Sequence, residues 1–235
     1  MKALKLIGLL LDYPRDELWQ RSEALRAALT EVELPSGRAA QLSAFVEDLL
    51  ALDPMEAQER WLALFDRGRA MSLLLFEHIH GESRDRGQAM VDLVETYRRA
   101  GFELDTRELP DYLPVVLEFL SQRPAAEVAD WLHHIGHILE LLAARAVKRA
   151  SPYAQLLETL VELAQGRVEL EPMRRRVAGE ARDDTPEAMD AVWEEEAVRF
   201  GVQAPEDDCQ PPSRFSAARP ASHPTSTLMD SAPAR

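Results

Sequence analysis

The stretch Ala125-Ala126-Glu127-Val128-Ala129-Asp130-Trp131-Leu132-His133-His134-Ile135-Gly136-His137-Ile138-Leu139-Glu140-Leu141-Leu142 decides the fold. Val128, Trp131, Leu132, Ile135, Leu139 and Leu142 recur at spacings of three and four, which places them on one face of a helix. The same spacing runs outward in both directions, through Leu18, Leu25, Leu29 and Val32, and through Leu42, Phe45, Val46 and Leu49. No alternating pattern of the strand type competes with it. The expected fold class is therefore all-α, a single compact multi-helix bundle, with helices near residues 2–12, 15–32, 37–52, 54–65, 70–79, 84–100, 111–122, 125–149, 152–164 and 186–199.

Punctuation supports these boundaries. Asp53-Pro54-Met55-Glu56 offers an N-cap, a proline at the first helical position and a glutamate placed to reach back. Ser151-Pro152 and Thr185-Pro186 repeat the cap-then-proline order. Gly101, followed by Phe102, suits a left-handed C-terminal cap whose apolar neighbour folds back on the last turn. The connections are short, so sequential helices should pack as antiparallel neighbours.

The chain has 235 residues, 46% of them hydrophobic and 29% charged, enough for one sizeable core. We expect a helical domain over 1–200. A Pro-, Ser- and Ala-rich tail over 201–235, without a periodic apolar face, is expected to be disordered. Met1 to Leu11 carries two lysines and the apolar run Leu6–Leu11. Asp12 and Pro14 close that run early, so it reads as the first helix rather than a secretion signal. No run approaches the roughly 18 apolar residues of a membrane span, and the lone Cys209 builds neither a disulfide framework nor a thiolate site. A soluble protein of a reducing compartment is expected.

A formal net charge of −14 repels a phosphate backbone and excludes nucleic acid as a natural partner, but it attracts a basic peptide or protein face. Residues 183–208 concentrate ten acidic side chains against one arginine, Glu194, Glu195 and Glu196 among them. This is either a solvated face or an acidic surface for a cationic partner. Between residues 65 and 92 both signs crowd together. That region reads equally as an arginine–carboxylate lattice or as a solvated turn capped by Ser83.

Catalytic patterns are missing. His78 and His80 lie two apart, about 200° around a helix, and do not converge on one metal ion. His133 and His137 could share a metal at four-residue spacing, but apart from Asp130 or Glu140 no third ligand stands out. There is no phosphate-cradling glycine loop and no nucleophile elbow. The expectation is no catalytic residue, no metal and no bound cofactor.

A resemblance then enters on specific residues. Trp61-Leu62-Ala63-Leu64-Phe65-Asp66-Arg67-Gly68-Arg69, the run from Ser72 to Leu93 that contains Phe76-Glu77-His78-Ile79-His80-Gly81-Glu82-Ser83-Arg84-Asp85, and Glu108-Leu109-Pro110-Asp111-Tyr112-Leu113-Pro114 resemble the NarJ family of respiratory nitrate reductase assembly chaperones. So do Glu180-Ala181-Arg182-Asp183-Asp184-Thr185-Pro186 and Asp190-Ala191-Val192-Trp193-Glu194-Glu195-Glu196. The likeness runs to about Phe200 and implies the all-helical fold of the broader TorD and DmsD group of redox-enzyme maturation chaperones.

The resemblance also implies a cytoplasmic chaperone that is no part of the finished enzyme. Its partner would be the apo catalytic (alpha) subunit of membrane-bound nitrate reductase, held through an N-terminal signal-like peptide while the molybdenum cofactor and an iron–sulfur centre are inserted. Proteins that deliver the molybdenum cofactor are a further candidate partner. Direct membrane insertion is not expected. The broader group carries Glu-Pro-x-Asp-His in a loop lining the peptide site; here Glu108-Leu109-Pro110-Asp111-Tyr112 shifts the proline and puts tyrosine where histidine would stand.

Helix-in-groove binding follows as the expected mode. Candidate apolar lining is Phe65, Leu74, Leu75 and Phe76, accompanied by Arg67 and His78. Glu108, Pro110, Asp111 and Tyr112 are expected to frame the groove, and Glu194, Glu195 and Glu196 to form the acidic partner surface. Asp111 is expected either to cap the helix that follows it or to face the peptide.

Overall fold

The computed structural model describes residues 1–81, 83–104, 108–165 and 170–191. In chain order the helices are α1 (Lys2–Leu11), α2 (Glu17–Gln20), α3 (Ser22–Glu31), α4 (Arg38–Ala51), α5 (Pro54–Phe65), α6 (Leu75–His80), α7 (Asp85–Arg99), α8 (Leu113–Ser121), α9 (Ala125–Lys148), α10 (Ala154–Gln165) and α11 (Glu171–Ala178). A 3-10 turn, Arg69–Met71, stands between α5 and α6, and residues 186–191 are again helical. The described residues are thus all-helical, as the apolar spacing predicts.

The decisive stretch forms the long central helix. Val128, Leu132, Ile135, Leu139 and Leu142 of α9 are all buried, and α10 packs along them as its most extensive partner. Leu156, Leu157, Leu160 and Val161 supply the facing stripe. A second pair, α1 against α8, packs closely because Gly8 has no side chain: a Cβ there would meet Leu117 Cβ and the Pro114 carbonyl oxygen, each at 3.2 Å. An aromatic chain of Tyr97, Phe102, Phe119 and Trp131 joins α7, α8 and α9.

Three punctuation signals act as read. Asp53 accepts a hydrogen bond from the Met55 amide at 2.9 Å with Pro54 opening α5, although Glu56 pairs with Arg60 instead of reaching back. Thr185 Oγ1 accepts from the Ala188 amide at 3.2 Å. Gly101, at φ +73°, ends α7, and the Phe102 amide returns to the Tyr97 carbonyl at 2.9 Å while its ring packs on Tyr97. The end of α9 uses the same left-handed geometry without glycine. Ala150 stands at φ +50°, and Ser151 N–H donates back to Ala146 at 3.0 Å.

Four boundaries differ from expectation. The helix expected over 15–32 breaks at Arg21 into α2 and α3. The one expected over 70–79 is a 3-10 turn, an extended segment and the short α6, because residues 73–75 bond to 111–113 instead of to their own chain. That pairing also holds Asp111 and Tyr112 out of α8, which starts at Leu113 rather than at 111. Helix α11 was not expected; it buries only Val177 of its own residues, against α9. The end of the 186–199 helix, the 201–235 tail and Glu194, Glu195 and Glu196 lie outside the described residues.

Between residues 65 and 92 the described residues include both a turn capped by Ser83 and an arginine–carboxylate pair. Ser83 Oγ accepts from the Asp85 amide at 3.2 Å, Arg84 and Asp85 are exposed, and a looser pair joins Arg86 to Glu77 at 3.4 Å.

Candidate peptide-binding groove

Two segments far apart in sequence cross at the centre of the site. The Leu75 amide donates to the Asp111 carbonyl at 3.0 Å, the Leu113 amide to the Leu73 carbonyl at 2.8 Å, and Leu74 and Tyr112 face each other as an antiparallel bridge. Among the described residues this is the sole strand-like pairing. Two extended segments can leave their helices because each satisfies the other's backbone groups.

Asp111 explains why the crossing is tight. It is fully buried, and its Oδ2 accepts from the Phe76 amide at 3.0 Å, so it caps α6 rather than the helix that follows it. Its Oδ1 makes no hydrogen bond, and burial raises the carboxyl above its ordinary range despite the Phe76 amide and nearby Arg86. With no exposed surface, Asp111 does not face a peptide. Around it the Tyr97 hydroxyl donates to the Pro110 carbonyl at 2.7 Å. His78 Nε2 donates to the Ser72 carbonyl at 2.8 Å, and burial lowers its pKa and favours the neutral ring.

Tyr112 reaches from the crossing to a groove on the other side. Its hydroxyl donates to Asp12 Oδ1 at 2.9 Å, and burial next to that carboxylate pushes the phenol well above its ordinary range. The groove encloses about 910 Å³. Its floor is α1, where Leu6 and Leu9 contribute the apolar surface and Leu9 remains 50% exposed. One wall is α3, through Leu25 and Ala28, with Val32 just past its end; the other is Phe102, Leu104, Pro114 and Val115.

Ion pairs tie the floor to both walls. Lys2 meets Glu31 of α3 at 2.8 Å, Lys5 meets Glu118 of α8 at 3.5 Å, and Arg15 meets Glu108 at 3.6 Å. All three pairs are solvent-exposed and individually weak, so a ligand can exchange partners with them at little cost. The groove lining carries six carboxylates and four basic side chains. It can therefore take an amphipathic helix with a cationic bias.

The residues expected at the site fall into three places. Glu108 and Tyr112 line the groove. Leu74, Leu75, Phe76, His78, Pro110 and Asp111 build the crossing behind it, with Leu75, Pro110 and Asp111 buried and the others half-buried. Phe65 sits in the core, edge-on to Tyr153 and tilted against Trp61, while Arg67 is exposed beyond the end of α5. The residues that sequence reasoning missed are those of α1 and α3. One signal was present: the unbroken run Leu6–Leu11 puts Leu9 on the same side of α1 as Lys2 and Lys5, where it has no core to enter.

His133, His134 and His137 are exposed along α9, and His134 Nδ1 lies 2.7 Å from the Asp130 carbonyl oxygen. Among the described residues no three metal-ligating side chains converge, and no helix is long and apolar enough to cross a membrane.

Comparison with known proteins adds an independent line. The family model described as nitrate reductase delta subunit matches residues 31–159. The nitrate reductase molybdenum cofactor assembly chaperone NarJ of Escherichia coli K12 is 50% identical over 201 residues, 85% of this chain and 85% of the relative. The probable nitrate reductase molybdenum cofactor assembly chaperone NarW of the same strain is 46% identical over 201 residues, 85% of this chain and 84% of the relative. A probable NarJ of Bacillus subtilis strain 168 is 31% identical over 159 residues, 66% of this chain and 84% of the relative.

Proposed function

Because the chain belongs to the nitrate reductase delta subunit family, we propose that it is a system-specific maturation chaperone of nitrate reductase, which binds the catalytic subunit before its molybdenum cofactor is in place. It carries out no covalent chemistry. Its client is the apo catalytic subunit, taken by an amphipathic N-terminal peptide that lies as a helix between α1, α3 and the start of α8. Work in the cytoplasm follows from that role, since cofactor insertion precedes docking of the subunit to its membrane partner.

The observation that carries this reading is the groove of about 910 Å³ with half-exposed Leu9 in its floor and carboxylates on both rims. Apolar surface in a concave site gains about 25 cal/mol for each Å² removed from water. The rim charges add register and suppress wrong partners more than they add affinity. By occupying the N-terminal peptide, the chaperone would hold the subunit back from assembly until the cofactor is inserted.

The test is a pull-down of the nitrate reductase catalytic subunit prepared with and without cofactor. The chain should retain the empty form and release the loaded one. Equal retention of both would make it a general binder of the subunit, and retention of neither would refute the proposal.

A further inference from the structure

We infer that the segment Glu180–Asp184 is an electrostatic strap that holds the groove wall in its binding shape, with Asp183 as its positioning residue. The functional part of this inference rests on the docking reading above; the structural part does not.

The strap is fastened almost entirely by charge. Arg145 of α9 grips Glu180 through two hydrogen bonds, at 2.8 and 3.1 Å. Arg149 meets Asp183 at 2.8 Å and Asp184 at 3.2 Å, and Lys148 Nζ donates to the carbonyls of Val177, Ala178 and Glu180. Apolar burial contributes little, since Val177 is the last buried apolar side chain before the strap and Asp184 is the one buried residue within it. A segment with so little buried apolar surface opens more readily than the helices beneath it.

Both sides of one residue in the α5–α6 connection are held by this system. Asp183 Oδ2 accepts the Ala70 amide at 2.6 Å, and Arg145 Nη1 donates to the Ala70 carbonyl at 2.8 Å. Gly68 leaves room for the contact: a Cβ there would lie 2.7 Å from the Asp183 carboxylate. From Ala70 the chain runs straight into the crossing. His78 holds Ser72, Leu73 accepts from Leu113, Leu75 donates to Asp111, and the neighbouring Tyr112 bonds Asp12 on the groove floor. The path alternates hydrogen bonds with short stretches of backbone and is only a few residues long.

Two variants act from opposite sides of the contact. Gly68→Ala expels the Asp183 carboxylate, and Asp183→Ala removes it. In each, the Leu75 and Leu113 amides, which lie outside the strap, should exchange about tenfold faster with solvent, while α9 and α10 keep their protection. Affinity for a synthetic N-terminal peptide of the catalytic subunit should fall by about fivefold. Faster exchange at Ala70 alone, with Leu75 and Leu113 unchanged, would overturn the inference, as would a uniform rise that includes α9 and α10. If either variant fails to fold, wild type in rising salt gives the same exchange readout. Should wild type not bind the peptide at all, the docking reading falls while the exchange of Leu75 and Leu113 still decides the strap.

Discussion

Replacing Asp111 by alanine and by asparagine separates the two things its carboxylate does. Alanine removes the cap of α6 and so leaves the partly buried Phe76 amide without its 3.0 Å acceptor, a single loss worth about 2 kcal/mol at the upper end of what a cap contributes. For a folded domain of this size, the resulting loss of about 2 kcal/mol lowers Tm by roughly 4–8 °C. Asparagine keeps an acceptor oxygen and discards the charge. Because the folded-state pKa of Asp111 is raised above 3.8, its charged form works against folding. That contribution to stability is present below the unfolded pKa and lost as pH rises through the folded one. Asp111→Asn should therefore match or exceed wild type at pH 7, and its advantage should shrink toward pH 4. Calorimetry at the two pH values reads both effects. An asparagine variant that loses as much as alanine at pH 7 would refute the reasoning, since the charge itself would then be holding the crossing together.

Three further outcomes are expected. Leu9→Ser removes a side chain half exposed in the groove floor; docking should lose about 1 kcal/mol, roughly fivefold in Kd, with little change in thermal unfolding, and an unaltered Kd would move the peptide elsewhere. Ala150→Gly relieves a non-glycine residue at φ +50° and should stabilise by about 1 kcal/mol, read as a rise of roughly 2–4 °C in Tm; a fall would deny the left-handed end of α9. Glu180 and Asp184 are held below the usual carboxylate range by hydrogen bonds from Arg145 and Arg182 respectively. Their stabilisation is present above the unfolded pKa and lost as pH falls through the folded values, so below about pH 4 the Ala70 amide should lose protection before those of α10; simultaneous loss would mean that the strap is not a separate unit.

The helices were legible because their signals are local. A stripe such as Val128 to Leu142, a cap such as Asp53-Pro54 or a terminator such as Gly101-Phe102 is complete within a few residues, and each acts in the structure as its chemistry requires. The crossing of 73–75 with 111–113 was not legible. Its partners are almost forty residues apart, and the apolar run Leu73-Leu74-Leu75-Phe76 reads equally well as helix until Asp111 is seen to satisfy Phe76. Helix α11 escaped for the opposite reason: with one buried side chain, and three arginines in its sequence, it has almost no apolar face to detect. The resemblance drew attention to Glu108 and Tyr112, which do line the groove, but also to Phe65, whose ring is spent on Trp61 and Tyr153. The floor itself was hidden in α1, where an ordinary-looking leucine run turned out to have one leucine too many for the core.

The central claim is that the groove between α1, α3 and α8 receives the N-terminal peptide of an empty nitrate reductase catalytic subunit. Titrating that peptide into the isotopically labelled chain and following the backbone amide resonances tests it most directly. The account predicts that Leu6, Leu9, Leu25, Ala28 and Val115 shift together and saturate with one affinity. Saturable shifts confined to the face of α4 and α5, or no shifts at low ionic strength, would contradict it.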